Sequence, residues 1–214
     1  LQRTSHMKED GQEQSMPTQV ELGKQATLQF EIKGTVWNGR LRAAAAHVPL
    51  RELRGLVSDS TRKLIDEPPP SSSWVPGQAI VELDAAIFDL RGSDVCARCS
   101  RETSEVAGTT VLRTMAEGML RLFGTSPATI FERMGQVAST SARGVDYEYV
   151  AQGPRSGRMT VRYSRCTNVP YCVFVSISGG LSAIFGFLGI KGTVSPPDTS
   201  ITPPCNSATF SLRW

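Results

Sequence analysis

The sequence predicts an α+β fold in which a helical bundle packs on a small antiparallel sheet. Apolar residues recur at helical spacing from Val36 to Phe123, and they alternate with polar residues between Val145 and Tyr163. With 40% hydrophobic and 20% charged residues over 214 positions, the composition is that of an ordinary globular protein. Because one region carries the sustained apolar pattern, we expect a single α+β domain over residues 27–214.

Residues 1–26 are expected to lie outside this domain. The stretch from Leu1 to Met7 has the character of a cloning remnant before a start methionine, and the polar stretch from Lys8 to Gly23 that of a flexible arm. Because no apolar signal-peptide core follows Met7, we expect the protein to stay in the cytoplasm.

The first elements follow from local patterns. Apolar and polar residues alternate from Thr27 to Ile32, as a half-buried strand requires. A helix is expected from Val36 through the alanine run Ala43 to Ala46, because alanine loses the least side-chain entropy in a helix. Pro49 then opens a second short helix, since proline fits the first helical turn.

A stiff connector of prolines and serines, residues 68–73, leads to Trp74, which we expect to anchor the next helix to the core. That helix runs from about Gly77 to Gly92, with Glu82 and Asp84 expected to face water. The broadest apolar face predicts a central helix from Thr103 to Phe123.

The C-terminal half is expected to mix helices and strands. Ser126 and Pro127 are typical of a helix start, with the serine as cap. The period of two predicts a hairpin whose loop is residues 153–157. The elements expected here are strands over Val145 to Val150 and Met159 to Tyr163, a helix over Val173 to Leu188, and strands near Ile190 to Val194 and Ala208 to Trp214.

Charge and hydropathy exclude two classes of partner. The net charge is +3, or about +2 without Arg3 and His6 of the remnant, and the basic residues are spread along the chain. We therefore expect no nucleic-acid binding. The longest apolar stretch, Tyr171 to Ile190, is interrupted by serines and glycines, so we expect no membrane insertion.

The scarcity of catalytic side chains predicts a protein that is not an enzyme. Outside the remnant the chain has one histidine, His47, at the end of the alanine-rich helix, where it is expected to interact with the helix dipole and carbonyls. The glycines match neither a P-loop nor a dinucleotide-binding fingerprint.

The five cysteines are expected to be reduced, because their number is odd and no export signal is present. Cys96 and Cys99 have the C-x-x-C spacing that lets two thiolates reach one zinc ion or each other. They are the candidate metal ligands, and zinc binding, redox activity and plain reduced thiols all remain open.

Five stretches resemble a family of myxobacterial paralogues of uncharacterised function. They are Ser73 to Pro76, the helix Ile80 to Leu90, Leu122 to Gly124, Tyr147 to Tyr149, and the closing Phe210 to Trp214. Through that family the chain resembles the ligand-binding fold of TRAPP trafficking subunits, 4-vinyl-reductase-type sensors and haem/nitric-oxide sensors. The resemblance implies dimerisation and an enclosed apolar ligand. Haem sensors of this type use a histidine in the middle helices, which this chain lacks, so we expect no haem and no other cofactor.

We therefore predict a non-enzymatic regulatory or scaffolding domain, active in signalling, that binds a partner protein or a small apolar ligand and forms a homodimer. The candidate ligand-binding residues are Met115, Met119, Phe185 and Phe187, although the same side chains also suit a plain core. One alternative is a protein-interaction adaptor without a pocket. The other is a zinc- or thiol-dependent protein that uses Cys96 and Cys99.

Overall fold

The computed structural model describes residues 18–21, 28–107, 126–199 and 206–214. Its elements in chain order are β1 (Glu31–Lys33), α1 (Gly34–His47), α2 (Leu50–Leu56), α3 (Asp59–Asp66), β2 (Trp74–Pro76), α4 (Gly77–Ala107), α5 (Pro127–Glu132), α6 (Met134–Ser139), β3 (Ala142–Arg143), β4 (Asp146–Gly153), β5 (Ser156–Arg162), α7 (Tyr171–Phe187), β6 (Thr193–Val194) and β7 (Ser207–Arg213). Helices and antiparallel strands occur together, so the predicted α+β class is confirmed.

A three-stranded antiparallel sheet in the order β2-β1-β3 ties the start of the described domain to its middle. Of the strand predicted at Thr27 to Ile32, the described residues start at Leu28, and strand pairing is formed from Glu31 to Lys33. The prediction for Trp74 is wrong: it lies in β2, where its ring packs against Lys33 Nζ at 4.0 Å and the Arg143 guanidinium at 3.8 Å. Cations hold this ring half-exposed at the sheet surface.

The short helices follow α1 closely. As expected from Pro49, α2 begins at Leu50. The sequence pattern does not predict α3, whose start is capped because the Ser58 hydroxyl accepts a hydrogen bond from the Thr61 amide. Ser126 precedes the predicted proline-led helix α5 but makes no such side-chain bond.

Helix α4 is two helical segments joined at Gly92. Gly92 has φ 81° and ψ 179°, a conformation that only glycine adopts readily. The predicted end of the helix at Gly92 is therefore right for the first segment, and a second segment begins directly after it. Of the predicted helix Thr103 to Phe123, the structure describes the part up to Ala107, and the remainder lies outside the described residues.

Helix α7 packs against the second segment of α4 at the centre of the molecule. A Cβ atom on Gly179 would overlap the carbonyl oxygen of Ala97, so the two backbones meet with no side chain between them. Residues on most sides of α7 are buried, because its apolar side chains are spread around the helix and the serines and glycines among them are small. Among the described residues, no helix combines the length and the apolar character needed to cross a bilayer.

The C-terminal half of the chain forms a four-stranded antiparallel sheet in the order β4-β5-β7-β6. The predicted hairpin is confirmed, with Tyr149 paired to Met159 across it. Met159 and Phe210 face inward and are fully buried, whereas Arg158 lies exposed on the outer face. This alternation places one face of the sheet against the helices.

Candidate functional site

A cavity of about 390 Å³ lies between the helices and the strands β1 and β3. Most of the side chains that line it are apolar, including Phe30, Ile80, Ile130, Met134, Val173 and Ile184. The lining residues come from β1 and the residue before it, from α1, α4, α5, α6 and α7, and from β3 and β4, so both sheets and the helices contribute to the walls. The exposed residues Thr35 and Thr140 also line the cavity and mark its solvent side.

Of the four predicted ligand-binding residues, one lines the cavity, one does not, and two lie outside the described residues. Phe187 lines the cavity. Phe185 is buried and packs against Phe131 and Trp214, with ring centroids 5.7 and 6.5 Å away, and it is not a lining residue. Met115 and Met119 lie outside the described residues.

A buried ion pair lies in the wall of the cavity. Arg40 Nη1 donates to Asp84 Oδ1 at 3.1 Å, and Arg40 Nη2 donates to Ser100 Oγ at 2.7 Å. The side chains of Arg40 and Asp84 are only 6% and 4% exposed, and all three residues line the cavity. The site therefore combines an apolar wall with one desolvated, hydrogen-bonded charge pair.

The bend at Gly92 makes this arrangement possible. In a straight helix Asp84 and Ser100 would lie about 24 Å apart, at a rise of about 1.5 Å per residue. One guanidinium nevertheless contacts both side chains, and Cys96 Sγ lies 3.8 Å from the backbone oxygen of Asp84. Gly92 thus turns the second segment of α4 back along the first.

Burial controls the electrostatics of the ion pair. Desolvation raises the pKa of Asp84, while the positive charge of Arg40 and a hydrogen bond with Ser176 oppose that rise. Arg40 itself is not fully satisfied: its Nε is buried and has no hydrogen-bond partner in the described part of the chain. Two of the five N–H groups of this guanidinium have an acceptor among the described residues, so N–H donors remain free in the cavity wall.

Sequence reasoning missed both partners of this pair, and the expectation that Glu82 and Asp84 face water is wrong. Glu82 is 5% and Asp84 3% exposed. On a helix these two positions are about 200° apart, so one solvent-facing stripe cannot hold both. Asp84 is the i+4 neighbour of Ile80 and the i−3 neighbour of Ile87, which places it within the apolar stripe.

Glu82 has a structural role on the other side of this helix. Its Oε2 accepts hydrogen bonds from the Ser58 amide at 2.9 Å and the Ser58 hydroxyl at 2.7 Å, and its Oε1 accepts one from Gln78 Nε2 at 3.0 Å. Burial by itself raises the pKa of Glu82, but these hydrogen bonds outweigh it and the net shift is downward. The carboxylate joins α4 to the start of α3.

The candidate metal ligands lie in the core. Cys96 and Cys99 are both fully buried, and Cys96 Sγ lies 3.6 Å from the backbone oxygen of Cys172. Burial is the main cause that raises the pKa of Cys96 well above 9 and that of Cys99 to about 11. Because the thiolate is the metal-binding and reactive form, these environments favour a packing role for both thiols. Among the described residues no group of three His, Cys, Asp or Glu side chains is placed to hold a metal ion, and zinc binding stays a prediction.

His47 is paired with a carboxylate rather than with a thiol. Its Nε2 lies 3.1 Å from both carboxylate oxygens of Glu102 at the C-terminal end of α1, and it does not line the cavity. A second depression, lined by Glu132, Arg133, Gly135, Gln136 and Tyr147, is mostly bordered by exposed side chains and has the character of a surface groove.

No protein-family model and no curated protein matches this chain. Solved structures match it over most of its length. The Fe(II) unliganded H-NOX protein from K. algicida gives a TM-score of 0.63 at 11% identity, covering 85% of this chain and 96% of that one. An oxygen-binding H-NOX domain related to soluble guanylate cyclases gives a TM-score of 0.52 at 10% identity, covering 85% and 94%.

This likeness establishes the fold. The expected resemblance to the haem/nitric-oxide sensor fold is confirmed, whereas the relation to TRAPP subunits, 4-vinyl-reductase-type sensors and a myxobacterial family stays a prediction. The described chain has the α+β fold of H-NOX domains.

Proposed function

We propose that this chain is a non-enzymatic sensor or regulatory domain that acts by binding one small apolar ligand in the cavity. The observation that carries the proposal is the cavity itself, because about 390 Å³ with apolar walls and a few convergent polar groups is typical of small-molecule sites. The likeness in fold to H-NOX sensor domains supports a ligand at this place.

The described residues of this chain do not fit haem, the group that matching H-NOX structures concern. Haem iron needs an axial donor, which is histidine, thiolate or tyrosinate, or methionine together with histidine. The described lining includes neither histidine nor cysteine, its methionine Met134 has no histidine to act with, and His47 is engaged by Glu102 away from the cavity. Burial raises the pKa of Tyr147 to about 12 and that of Tyr163 well above 10, so both lining tyrosines keep their protons at neutral pH. The donor set favours an organic ligand that contains no iron.

Binding rather than turnover is supported by the state of the polar groups. The guanidinium of Arg40 and the carboxylate of Asp84 neutralise each other. Ser100 already accepts a hydrogen bond from Arg40, and no described histidine is placed to activate its hydroxyl. These contacts stabilise the wall of a binding site.

Binding of naphthalene tests this proposal. We expect equilibrium dialysis to find one site per chain, and we expect Ala138→Phe to weaken binding at least tenfold because Ala138 lines the cavity. The matched control is Ala128→Phe, since Ala128 is another half-buried alanine on a neighbouring short helix that does not line the cavity. Absence of naphthalene binding, or equal loss in both variants, would contradict the proposal.

Signalling and homodimer formation are part of the same proposal. Because the ligand would contact α1, α4, α6 and α7 together, occupancy is expected to stiffen the packing between these helices. Sedimentation equilibrium with and without naphthalene gives the oligomeric state and its dependence on the ligand. A monomer under both conditions would refute the homodimer while leaving ligand binding in place.

A further inference from the structure

The cavity carries one polar feature that the apolar walls do not explain. Arg40 has five N–H groups, and one on each Nη donates, to Asp84 and to Ser100. The other N–H of each Nη and the buried Nε–H have no acceptor among the described residues. A buried donor without an acceptor costs about 1–3 kcal/mol, so structures seldom leave one unless water or a ligand satisfies it.

From this geometry we infer that the ligand is an uncharged apolar molecule with one oxygen acceptor, such as a ketone, ester or lactone carbonyl, which accepts a hydrogen bond from a free N–H of the Arg40 guanidinium. The inference rests on the proposed function, because it specifies the chemistry of a ligand in that same cavity. The apolar walls receive the body of the molecule, and the guanidinium fixes its orientation.

Charge balance decides for a neutral acceptor over a carboxylate. Arg40 and Asp84 together carry no net charge, and both are more than nine-tenths buried. An anionic ligand would therefore add one uncompensated charge in a desolvated site, which is far more costly than adding a carbonyl. The other described cation of the lining, Lys33, lies over the ring of Trp74 and donates to the backbone oxygen of Ser72.

Hydroxyl groups near the pair are weaker donors than this guanidinium. The Thr103 hydroxyl already donates to the backbone oxygen of Cys99 at 2.6 Å, whereas the Ser100 hydroxyl accepts from Arg40 and keeps its own hydrogen. A hydrogen bond from a charged donor is also stronger than one between neutral groups. The guanidinium of Arg40 is thus the strongest described anchor for a carbonyl.

Three naphthalene probes of similar shape test the inference on the wild-type chain. They are 2-acetylnaphthalene, 2-ethylnaphthalene and 2-naphthoate, measured by equilibrium dialysis at pH 7.5. The ratio of the binding affinities of the acetyl and the ethyl compound is compared with the ratio of their water-to-hydrocarbon partition coefficients. We expect the affinity ratio to exceed the partition ratio at least tenfold in favour of the acetyl compound, which corresponds to about 1.4 kcal/mol. We expect 2-naphthoate to bind at least tenfold more weakly than 2-acetylnaphthalene.

A variant without the Arg40–Asp84 ion pair provides a second test of the inference. Arg40→Met combined with Asp84→Leu removes both charges together, and we expect the excess preference for the acetyl probe to fall about tenfold. The control is Arg62→Met with Asp59→Leu, an exposed ion pair of 2.9 Å on α3, which is expected to leave the preference unchanged. If the first variant does not fold, the wild-type comparison still decides.

The outcomes separate the two proposals. Naphthalene binding without any excess for the acetyl probe would overturn this inference, meaning that water satisfies Arg40, and would leave the proposed function standing. Tighter binding of 2-naphthoate would overturn the assignment of an uncharged ligand. Failure of every probe would remove the proposed function itself.

Discussion

Replacement of Gly179 by alanine tests the central helix contact directly. The added Cβ would lie 2.7 Å from the carbonyl carbon and 2.9 Å from the Cα of Ala97. Carbon atoms in favourable contact are about 3.5–4.0 Å apart, so the carbonyl carbon alone requires α7 and α4 to separate by about 0.8 Å, and the nearer carbonyl oxygen requires more. The obstacle is backbone, which has no alternative rotamer to adopt.

The expected loss of stability follows from two opposing effects. Overpacking costs about 1–3 kcal/mol and sometimes more, and the upper end applies because backbone is the obstacle. Alanine regains about 1 kcal/mol of helix propensity over glycine. We therefore expect Gly179→Ala to lower the free energy of unfolding by about 2 kcal/mol.

The neighbouring glycine is the matched control. A Cβ on Gly180 would lie 3.4 Å from Ser104 Oγ and 3.5 Å from Ser100 Oγ, which is ordinary contact. Gly180→Ala should therefore gain up to about 1 kcal/mol, so the two variants differ by about 3 kcal/mol or, for a chain of this length, about 6–12 °C in Tm. Urea unfolding followed by tryptophan fluorescence and circular dichroism measures the difference. Variants of equal stability would refute the close approach of the two backbones.

The other predictions concern buried polar groups. Glu82→Gln should lower the free energy of unfolding by about 2 kcal/mol at pH 7 through lost charge-assisted hydrogen bonds. The folded pKa of Glu82 is lowered, so its contribution is complete above the unfolded pKa of about 4.5 and is lost as the pH falls through the folded pKa. Arg40→Met should cost about 3–5 kcal/mol by leaving Asp84 buried and unpaired, and adding Asp84→Leu should recover most of it. Cys96 and Cys99 should resist iodoacetamide at pH 8 in the folded protein and react after urea unfolding, as peptide mass spectrometry measures.

Each of these expectations has a defined contrary result. A deficit of Glu82→Gln that stays constant from pH 7 to pH 3 would show that its charge does not matter. A double variant no more stable than Arg40→Met alone would show that the unpaired carboxylate of Asp84 is not the source of the loss. Rapid labelling of Cys96 or Cys99 in the folded protein would favour the thiol-dependent alternative.

Local patterns predicted the elements whose stability is decided nearby in the chain. The hairpin formed by β4 and β5 follows from alternation around a turn-rich loop, and α1 follows from its alanine run. The break at Gly92 could also be predicted, because glycine is the residue that most readily ends a helix. The second segment of α4 folds back on the first, and this arrangement depends on contacts with other elements.

The misplacements have a common physical cause. Trp74, the expected anchor of the next helix to the core, contacts two cations at a sheet surface, and Asp84, expected to face water, lies in the core. Residue type favours one environment, but a partner distant in sequence changes the balance. Arg143 approaches Trp74, and Arg40 neutralises Asp84, only once the fold is formed.

The amino-acid sequence by itself determined the fold class and the scarcity of chemically reactive side chains, because periodicity and composition can be counted along the chain. Only the tertiary structure decided the candidate site. Arg40 lies 44 residues from Asp84 and 60 from Ser100, and no local pattern relates positions so far apart. The turn at Gly92 and the packing of α7 on α4 bring these groups to one cavity wall, where desolvation gives the free N–H donors of Arg40 their importance.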